Sequence, residues 1–331
     1  MHILVTGGAG YVGSVIVEEL INANHSVVVY DSLSKGHLGA VHPEATFVRA
    51  HLAERDHLRR ALEDHQIEAV IHMAALSLVA ESVAHPEQYF ENNVAGSLAV
   101  VQAMLQAQVQ RLVFSSTAAL YSERASSLPP LWGVPMREDA EVVPANPYGQ
   151  GKLIVEQMLP WIARAHGLVC TSLRYFNAAG ASERYGEDHR PETHLIPLVL
   201  AAAQEDRPID IFGTDYPTPD GTTIRDYIHV VDLAQAHMLA LTRAEPGLRI
   251  YNLGTGQGFS VRQVIESARR VTGRALPVRE GPRRAGDQVA TVASAERIRA
   301  ELGWQPRYPS LDAIIESAWR WKLAHPNGYE K

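Results

Sequence analysis

Cysteine is nearly absent. Cys170 is the only one among 331 residues, so no intrachain disulfide can form, and its place in the apolar run Leu168-Val169-Cys170 marks a buried small residue rather than a nucleophile. A reducing compartment, the cytoplasm, is the expectation. Also missing is any run of about 18 apolar residues able to span a bilayer, and the start MHILVTGGAG has no charged stretch leading into a long apolar one. No membrane partner is expected. Positive charge is in deficit, with a net charge of −7 and a pI near 6.1, so there is no general attraction to nucleic acid. Lysine is scarcer still. Of 30 Lys and Arg residues only Lys35, Lys152, Lys322 and Lys331 are lysines, so a Lys at a chemically sensible point carries unusual weight. Internal repeats, heptads and low-complexity tracts are absent as well.

What is present is ordinary globular material: 46% hydrophobic and 20% charged residues, which excludes disorder as the main state. The length allows two domains or one large α/β unit. Apolar β-branched runs at residues 2–6, 26–30, 45–48, 69–72, 111–115 and 169–174 alternate with helix-period segments at 11–23, 54–65, 86–108 and 147–167. Strands with no polar face need cover on both sides, so the pattern predicts a doubly wound, mainly parallel Rossmann-type α/β sheet. After residue 176 the rhythm changes, with a helix predicted at 195–204 and a strand at 209–212. Asp232 is read as the cap of a helix reaching about residue 243, and 249–253 as a strand returning to the main sheet. Ser260 with Gln263 makes a capping box for a helix closing at Gly273, and a last helix covers 310–324. The expected organisation is a dinucleotide-binding domain over 1–176, to which 230–255 return, and a smaller interleaved substrate-binding region over 177–331. Ser122 to Pro147, rich in proline and without a period, reads as a surface loop.

Gly7, Gly10 and Gly13 fall between the first strand and the first helix, where glycines permit a tight turn and close backbone approach to a pyrophosphate at a helix N-terminus. Asp31 ends the second strand some 20 residues later. There its carboxylate can accept hydrogen bonds from ribose hydroxyls and would repel a 2′-phosphate, which favours NAD over NADP, with Lys35 nearby as a softening influence. Tyr148 and Lys152 are four residues apart at the predicted start of the third long helix, on one face. With 12 Tyr and so few Lys, chance predicts only about 0.15 such pairs in the chain, so the pair points to chemistry. A phenol of ordinary pKa near 10 needs about 4 kcal/mol of differential stabilisation to act as a base near pH 7. Ser115-Ser116-Thr117 ends a strand at the carboxyl side of the sheet, where ligands bind in such folds, and Thr117 can hydrogen-bond the oxygen that loses its proton.

These residues resemble the extended short-chain dehydrogenase/reductase superfamily and, within it, the UDP-glucose 4-epimerases (UDP-galactose 4-epimerases). The resemblance runs nearly the whole chain, through TGGAGYVGS at 6–14, SSTAALY at 115–121, NPYGQGKLIVE at 146–156, LRYFNAAGA at 173–181, ETHLIPLVL at 192–200, IFGTDYPTPDGTTIRDYIHVVDLA at 211–234 and YNLGTG at 251–256. It implies that Tyr148 is the general base on the sugar 4-hydroxyl, that Lys152 depresses its pKa and holds the nicotinamide ribose, and that Thr117 orients the same oxygen. Hydride passes to a tightly held NAD, and a transient 4-keto sugar turns over before hydride returns to its other face. Around the cofactor the resemblance adds Tyr11, Val12, Ser32, Leu52 and Ala74, together with Asn93, Ser115 and Tyr175. For the UDP-sugar it implies Arg225 and Arg284 at the diphosphate and Asp287 at the uridine ribose, with Asn177, His194, Leu195, Phe212 and Tyr227 lining the ligand. Thr291 matches the position that gates the sugar 2-substituent, and its small size leaves room for an N-acetyl group. No metal is expected. A homodimer is implied, paired through the helices at 86–108 and 147–167.

The sequence also departs from the pattern. Arg49-Ala50-His51-Leu52 lacks the acidic residue that usually reads adenine, and Gly149 and Gly151 burden a helix start by up to about 1 kcal/mol each. The 122–147 loop, with Trp132 at its middle and Ser122 in place of glycine, is longer than is typical. A dehydratase of the same superfamily would carry Asp-Glu after Thr117; Ala118 and Ala119 cannot move protons. Epimerases for pentoses or hexuronic acids share the same motifs. A non-catalytic NAD-sensing regulator would be expected to lose Tyr148 or Lys152.

Overall fold

The computed structural model describes residues 1–121, 135–284 and 287–329. Strands β1 (His2–Thr6), β2 (Ser26–Asp31), β3 (Thr46–Arg49), β4 (Ala69–His72), β5 (Arg111–Thr117) and β6 (Val169–Tyr175) match the apolar runs. Beyond them lie β7 (Asn177–Ala179), β8 (Ile209–Phe212), β9 (Ile224–His229) and β10 (Gly247–Leu253), then β11 (Gly258–Ser260), β12 (Val278–Gly281) and β13 (Ala290–Thr291). The main sheet has seven strands in the order β10-β6-β5-β4-β1-β2-β3, each pair parallel. The chain winds outward in both directions from β1 and β4. That switch point leaves a crevice at the carboxyl ends of the strands.

Both faces of the sheet are covered, which explains why its strands read as unbroken apolar runs. Along β1, Ile3 and Val5 belong to one core with the Tyr11–Asn22 and Val230–Leu241 helices. Leu4 belongs to the other, beneath the helices Arg55–Asp64, Gly96–Gln106 and Pro147–His166. A third core joins the Leu195–Gln204, Val261–Thr272 and Leu311–Ala324 helices to Ile209, Ile211 and Tyr227. There β9 pairs with β7, β11 and β13, and β8 with β12. The Ser260–Gln263 capping box forms, and Gly273 closes that helix at a φ of 68°.

Three expectations need correction. Asp232 does not cap its helix. His229 is the cap, accepting from the Val231 N–H, while the Asp232 carboxylate takes the backbone N–H groups of Arg307 and Tyr308 at 2.7 and 3.1 Å. The segment 86–108 is not one regular helix: a π turn, Phe90–Ala95, interrupts it, and a short helix at Val79–Ala84 precedes it. At the π turn the Ser97 hydroxyl donates to the Asn93 carbonyl. Gly149 is more than a cost, because a Cβ at that position would lie 2.5 Å from the Ala119 carbonyl oxygen. Only glycine lets this helix start approach the end of β5. At Gly151 the nearest atom would be at an ordinary 3.6 Å. The part of the 122–147 segment that is described is irregular and mostly at the surface, as expected, with one buried anchor. Met136 is buried, and its backbone bonds to Val292 and Ser294 tie 135–146 to the neighbourhood of β13. Ser122 and Trp132 lie outside the described residues.

Candidate active site

A cavity of about 520 Å³ opens at the switch point, lined by the glycine turn after β1, the end of β2, the 73–78 loop after β4, the end of β5 and the Tyr148–Lys152 pair. Its size suits a nucleotide ligand, for which volumes of about 300–1,000 Å³ are usual. Gly7 adopts a φ of +71° and donates its N–H to the Tyr30 carbonyl. A Cβ on Gly7 would be 2.6 Å from the Ala74 nitrogen, and one on Gly13 would be 2.1 Å from the Gly7 oxygen. No side chain fits at Gly7 or Gly13. The first-turn N–H groups of the Tyr11–Asn22 helix therefore stay bare toward the cavity, with the positive end of the helix dipole behind them.

Asp31 is held by two backbone donors, Ala9 N–H at 3.0 Å and Leu33 N–H at 2.8 Å, one on each carboxylate oxygen. Burial raises its pKa, with both bonds opposing the shift. Each oxygen keeps a lone pair for a ribose hydroxyl. The bare amides, the glycine cradle and this carboxylate fit a dinucleotide. Ser32, Leu52 and Ala74 line the same wall, as do Tyr11 and Val12. At the unusual 49–52 stretch, His51 lines the cavity, and its carbonyl accepts from the Tyr30 hydroxyl at 3.0 Å.

Asn93 lies directly beside Asn92 and Leu76, which line the cavity. Its side chain is buried in the π turn, accepting from Leu76 N–H at 2.9 Å and donating to Leu76 O at 2.8 Å. These bonds position the 73–78 loop.

At the far end of β5 the Asn146 side chain caps the Pro147–His166 helix, which brings Tyr148 and Lys152 beside Thr117. Thr117 accepts the Ala119 N–H at 3.1 Å. Burial raises the pKa of Tyr148, and a hydrogen bond from Thr117 lowers it. Lys152 donates to the Ser115 carbonyl at 2.7 Å and lies over the Phe114 ring at 4.8 Å. Burial pushes its ammonium down to about 7, opposed by the Glu156 carboxylate one turn further on. The Tyr175 hydroxyl contacts His237, and burial raises its pKa strongly. Cys170 is buried, and burial pushes its thiol up to about 12.

The residues expected to hold the substrate fall into two groups. Asn177 and His194 line the cavity with Thr117. Phe212, Arg225, Tyr227, Arg284, Asp287 and Thr291 do not line it and form a second cluster around β9. Arg225 donates to the Ile224 and Gln288 carbonyls, its Nη2 is 3.8 Å from Asp287 Oδ1, and Thr291 is its register partner. The Arg284 guanidinium stacks 3.8 Å from the centre of the Phe212 ring. Burial pushes the Tyr227 phenol up to about 12 although Arg225 opposes it. Leu195 does neither: it opens the Leu195–Gln204 helix and packs on the third core. Sequence reading missed Glu187 and His189 in the cavity wall. The Glu-x-His-x-x-Glu-x-His spacing of residues 187–194 is the signal that was available.

The sequence pattern of the NAD dependent epimerase/dehydratase family matches residues 3–254. A curated relative, UDP-glucose 4-epimerase of Halalkalibacterium halodurans, is 48% identical, covering 99% of this chain and 98% of that protein. Among solved structures, a UDP-glucose 4-epimerase superposes with a TM-score of 0.94 at 46% identity, covering 100% of both chains. The Brucella ovis UDP-glucose 4-epimerase, solved in complex with NAD, superposes with a TM-score of 0.89 at 43% identity, covering 96% of this chain and 97% of that one.

Proposed function

As the chain belongs to the NAD dependent epimerase/dehydratase family, we propose that it inverts C4 of UDP-hexoses, interconverting UDP-glucose and UDP-galactose with NAD retained between turnovers. The observation that carries this reading is the convergence of Tyr148, Thr117 and Lys152 on the cavity that also contains the glycine cradle. NAD, when bound, supplies the acceptor and donor of the C4 hydride. The chain's own residues handle the proton. Tyr148 takes it from the sugar 4-hydroxyl and gives it back, Thr117 fixes the orientation of both oxygens, and the Lys152 ammonium favours the phenolate. Gly7, Gly10, Tyr11, Val12 and Gly13 hold the pyrophosphate, Asp31 and Ser32 the adenosine ribose, and Leu52 and Ala74 the adenine side. Ser115 and Tyr175 flank the reacting end.

The second cluster suits the anchored half of the substrate. Arg225 and Arg284 present planar guanidinium groups to a diphosphate, Asp287 faces the uridine ribose, and Phe212, Tyr227, Asn177 and His194 complete the walls. Thr291, small and beside Arg225, leaves room for an N-acetyl group on the sugar. The dehydratase reading fails at Ala118 and Ala119, which form a 3-10 turn right after Thr117 and offer no acid or base. We place the enzyme in the cytoplasm; no described helix is long and apolar enough to cross a membrane.

The deciding assay uses protein purified without added cofactor. UDP-galactose is expected to convert to UDP-glucose with no NAD supplied, and UDP-N-acetylgalactosamine to convert at matched concentration. No conversion of UDP-galactose after NAD is restored would overturn the epimerase reading; conversion of UDP-galactose alone would overturn the role given to Thr291.

We further propose a homodimer paired through the Gly96–Gln106 and Pro147–His166 helices. Trp161 supports it, being 72% exposed on the latter helix, where an isolated chain gains nothing from so large an apolar surface. Sedimentation is expected to give twice the 36.4 kDa chain mass, and Trp161→Glu to shift it toward the monomer. A monomeric wild type would refute the pairing.

A further inference from the structure

Three side chains of one cavity wall, Glu187, His189 and His194, cluster with Glu192 just behind it, and neither the glycine cradle nor the Tyr148–Lys152 pair requires them. Glu187 Oε1 is 3.0 Å from His189 Nδ1 and 2.7 Å from His194 Nδ1. The Glu192 carboxylate is 3.1 Å from His194 Nδ1 and 3.8 Å from His189 Nδ1. One donor atom from each of the four lies within 4.8 Å of all the others, and among the described residues no other group does this.

The donor set is specific. Two imidazole nitrogens and two carboxylate oxygens suit a four-coordinate Zn²⁺-type ion, whereas calcium and magnesium demand six or more oxygens. Bond lengths of about 2.0–2.2 Å put tetrahedral ligands roughly 3.3 Å apart. The Glu–His separations run from 2.7 to 3.8 Å, the last to the second Glu192 oxygen, and the four donor atoms together span up to 4.8 Å, so ligand shifts of up to about an ångström would close the site. Its frame is already built. Glu187 has a side chain only 7% exposed, and Glu192 is oriented by the backbone N–H groups of Thr193 and His194 at 2.7 and 2.8 Å, the kind of outer support that metal ligands require. His189 packs edge-on against Tyr11 of the glycine-turn helix.

We propose that Glu187, His189, Glu192 and His194 bind one Zn²⁺-type divalent cation in the wall of the sugar-nucleotide cavity. The kinetic consequence rests on the reading above. A cation that engages His194 withdraws its imidazole from the substrate, so it raises KM for UDP-galactose several-fold and leaves the Tyr148 chemistry, and hence kcat, in place.

The test uses the tag-free enzyme with its retained NAD, incubated with zinc chloride, dialysed, and analysed for metal by mass spectrometry. One zinc per chain is expected in the wild type, and none in His189→Ala or Glu187→Gln, with NAD content unchanged in both. No stoichiometric zinc, or equal zinc in the variants, overturns the site. Should the variants fail to fold, X-ray absorption of the wild type decides. Two imidazoles in a nitrogen and oxygen shell near 2.0–2.1 Å are expected, and a spectrum without imidazole scattering overturns the assignment. An unchanged KM on the zinc-loaded enzyme would overturn the engagement of His194. Failure of the epimerase reading would show separately, as no turnover without zinc, and the zinc count does not depend on it.

Discussion

Replacing Tyr148 with Phe is expected to lower kcat by about 10²–10⁴-fold, the usual contribution of a positioned acid or base, while leaving bound NAD and stability unchanged. The substitution removes one oxygen from a ring that stays packed between the helix start and β5. What it deletes is the phenol oxygen that Tyr148 presents to the cavity beside Thr117. NAD content, read from the nucleotide released on denaturation, separates this loss from a damaged cofactor site. A Tyr148→Phe enzyme with wild-type turnover would remove Tyr148 from the reaction. Burial raises the pKa of the phenol and lowers that of the Lys152 ammonium to about 7, with Thr117 and Glu156 opposing the two shifts.

The parts of this architecture that were legible in the sequence are those set by local rules. Parallel strands covered on both faces announce themselves as apolar runs, and Ser260 with Gln263 or Gly273 speak for one helix end each. The glycine cradle and the Tyr148–Lys152 spacing are local too. What could not be read depends on partners distant in the chain. Asp232 sits where a cap belongs, yet its carboxylate serves Arg307 and Tyr308 from the far end of the polypeptide. The two-residue β13 has no pattern of its own and exists because β9 offers an edge. The grip of Asn93 on the 73–78 loop likewise depends on the π turn, which no local pattern announces. Leu195, polar neighbours notwithstanding, is drawn into the third core by the helix it begins. In the catalytic end, Gly149 looked like a weakness of the helix and is the condition for Tyr148 to reach Thr117. A local propensity was overruled there by a close approach that no propensity encodes.

Arg174→Met is expected to destabilise the fold by about 3–5 kcal/mol, the cost of leaving a buried charge without its partner. Arg174 and Glu156 have side chains only 4% and 3% exposed and meet at 2.7 Å, with the Arg174 Nε shared between both carboxylate oxygens. The rest of the network is equally closed. Ser172 donates to Glu156 at 2.7 Å, and the remaining Arg174 donors reach the Tyr121 hydroxyl and the Glu138 carbonyl at 2.9 and 3.2 Å. Tyr121 in turn donates to Asn252 at 2.6 Å, so the pair clamps the β6 and β10 side of the sheet to the catalytic helix. Methionine fills much of the arginine stem but satisfies none of these acceptors. The double change Arg174→Met with Glu156→Leu is expected to recover most of the loss, because apolar replacement of a whole buried pair is often near neutral. Denaturant midpoints at constant slope make the comparison. A single variant as stable as wild type would show the pair to be idle, and a double variant worse than the single would assign the loss to packing rather than to the stranded carboxylate.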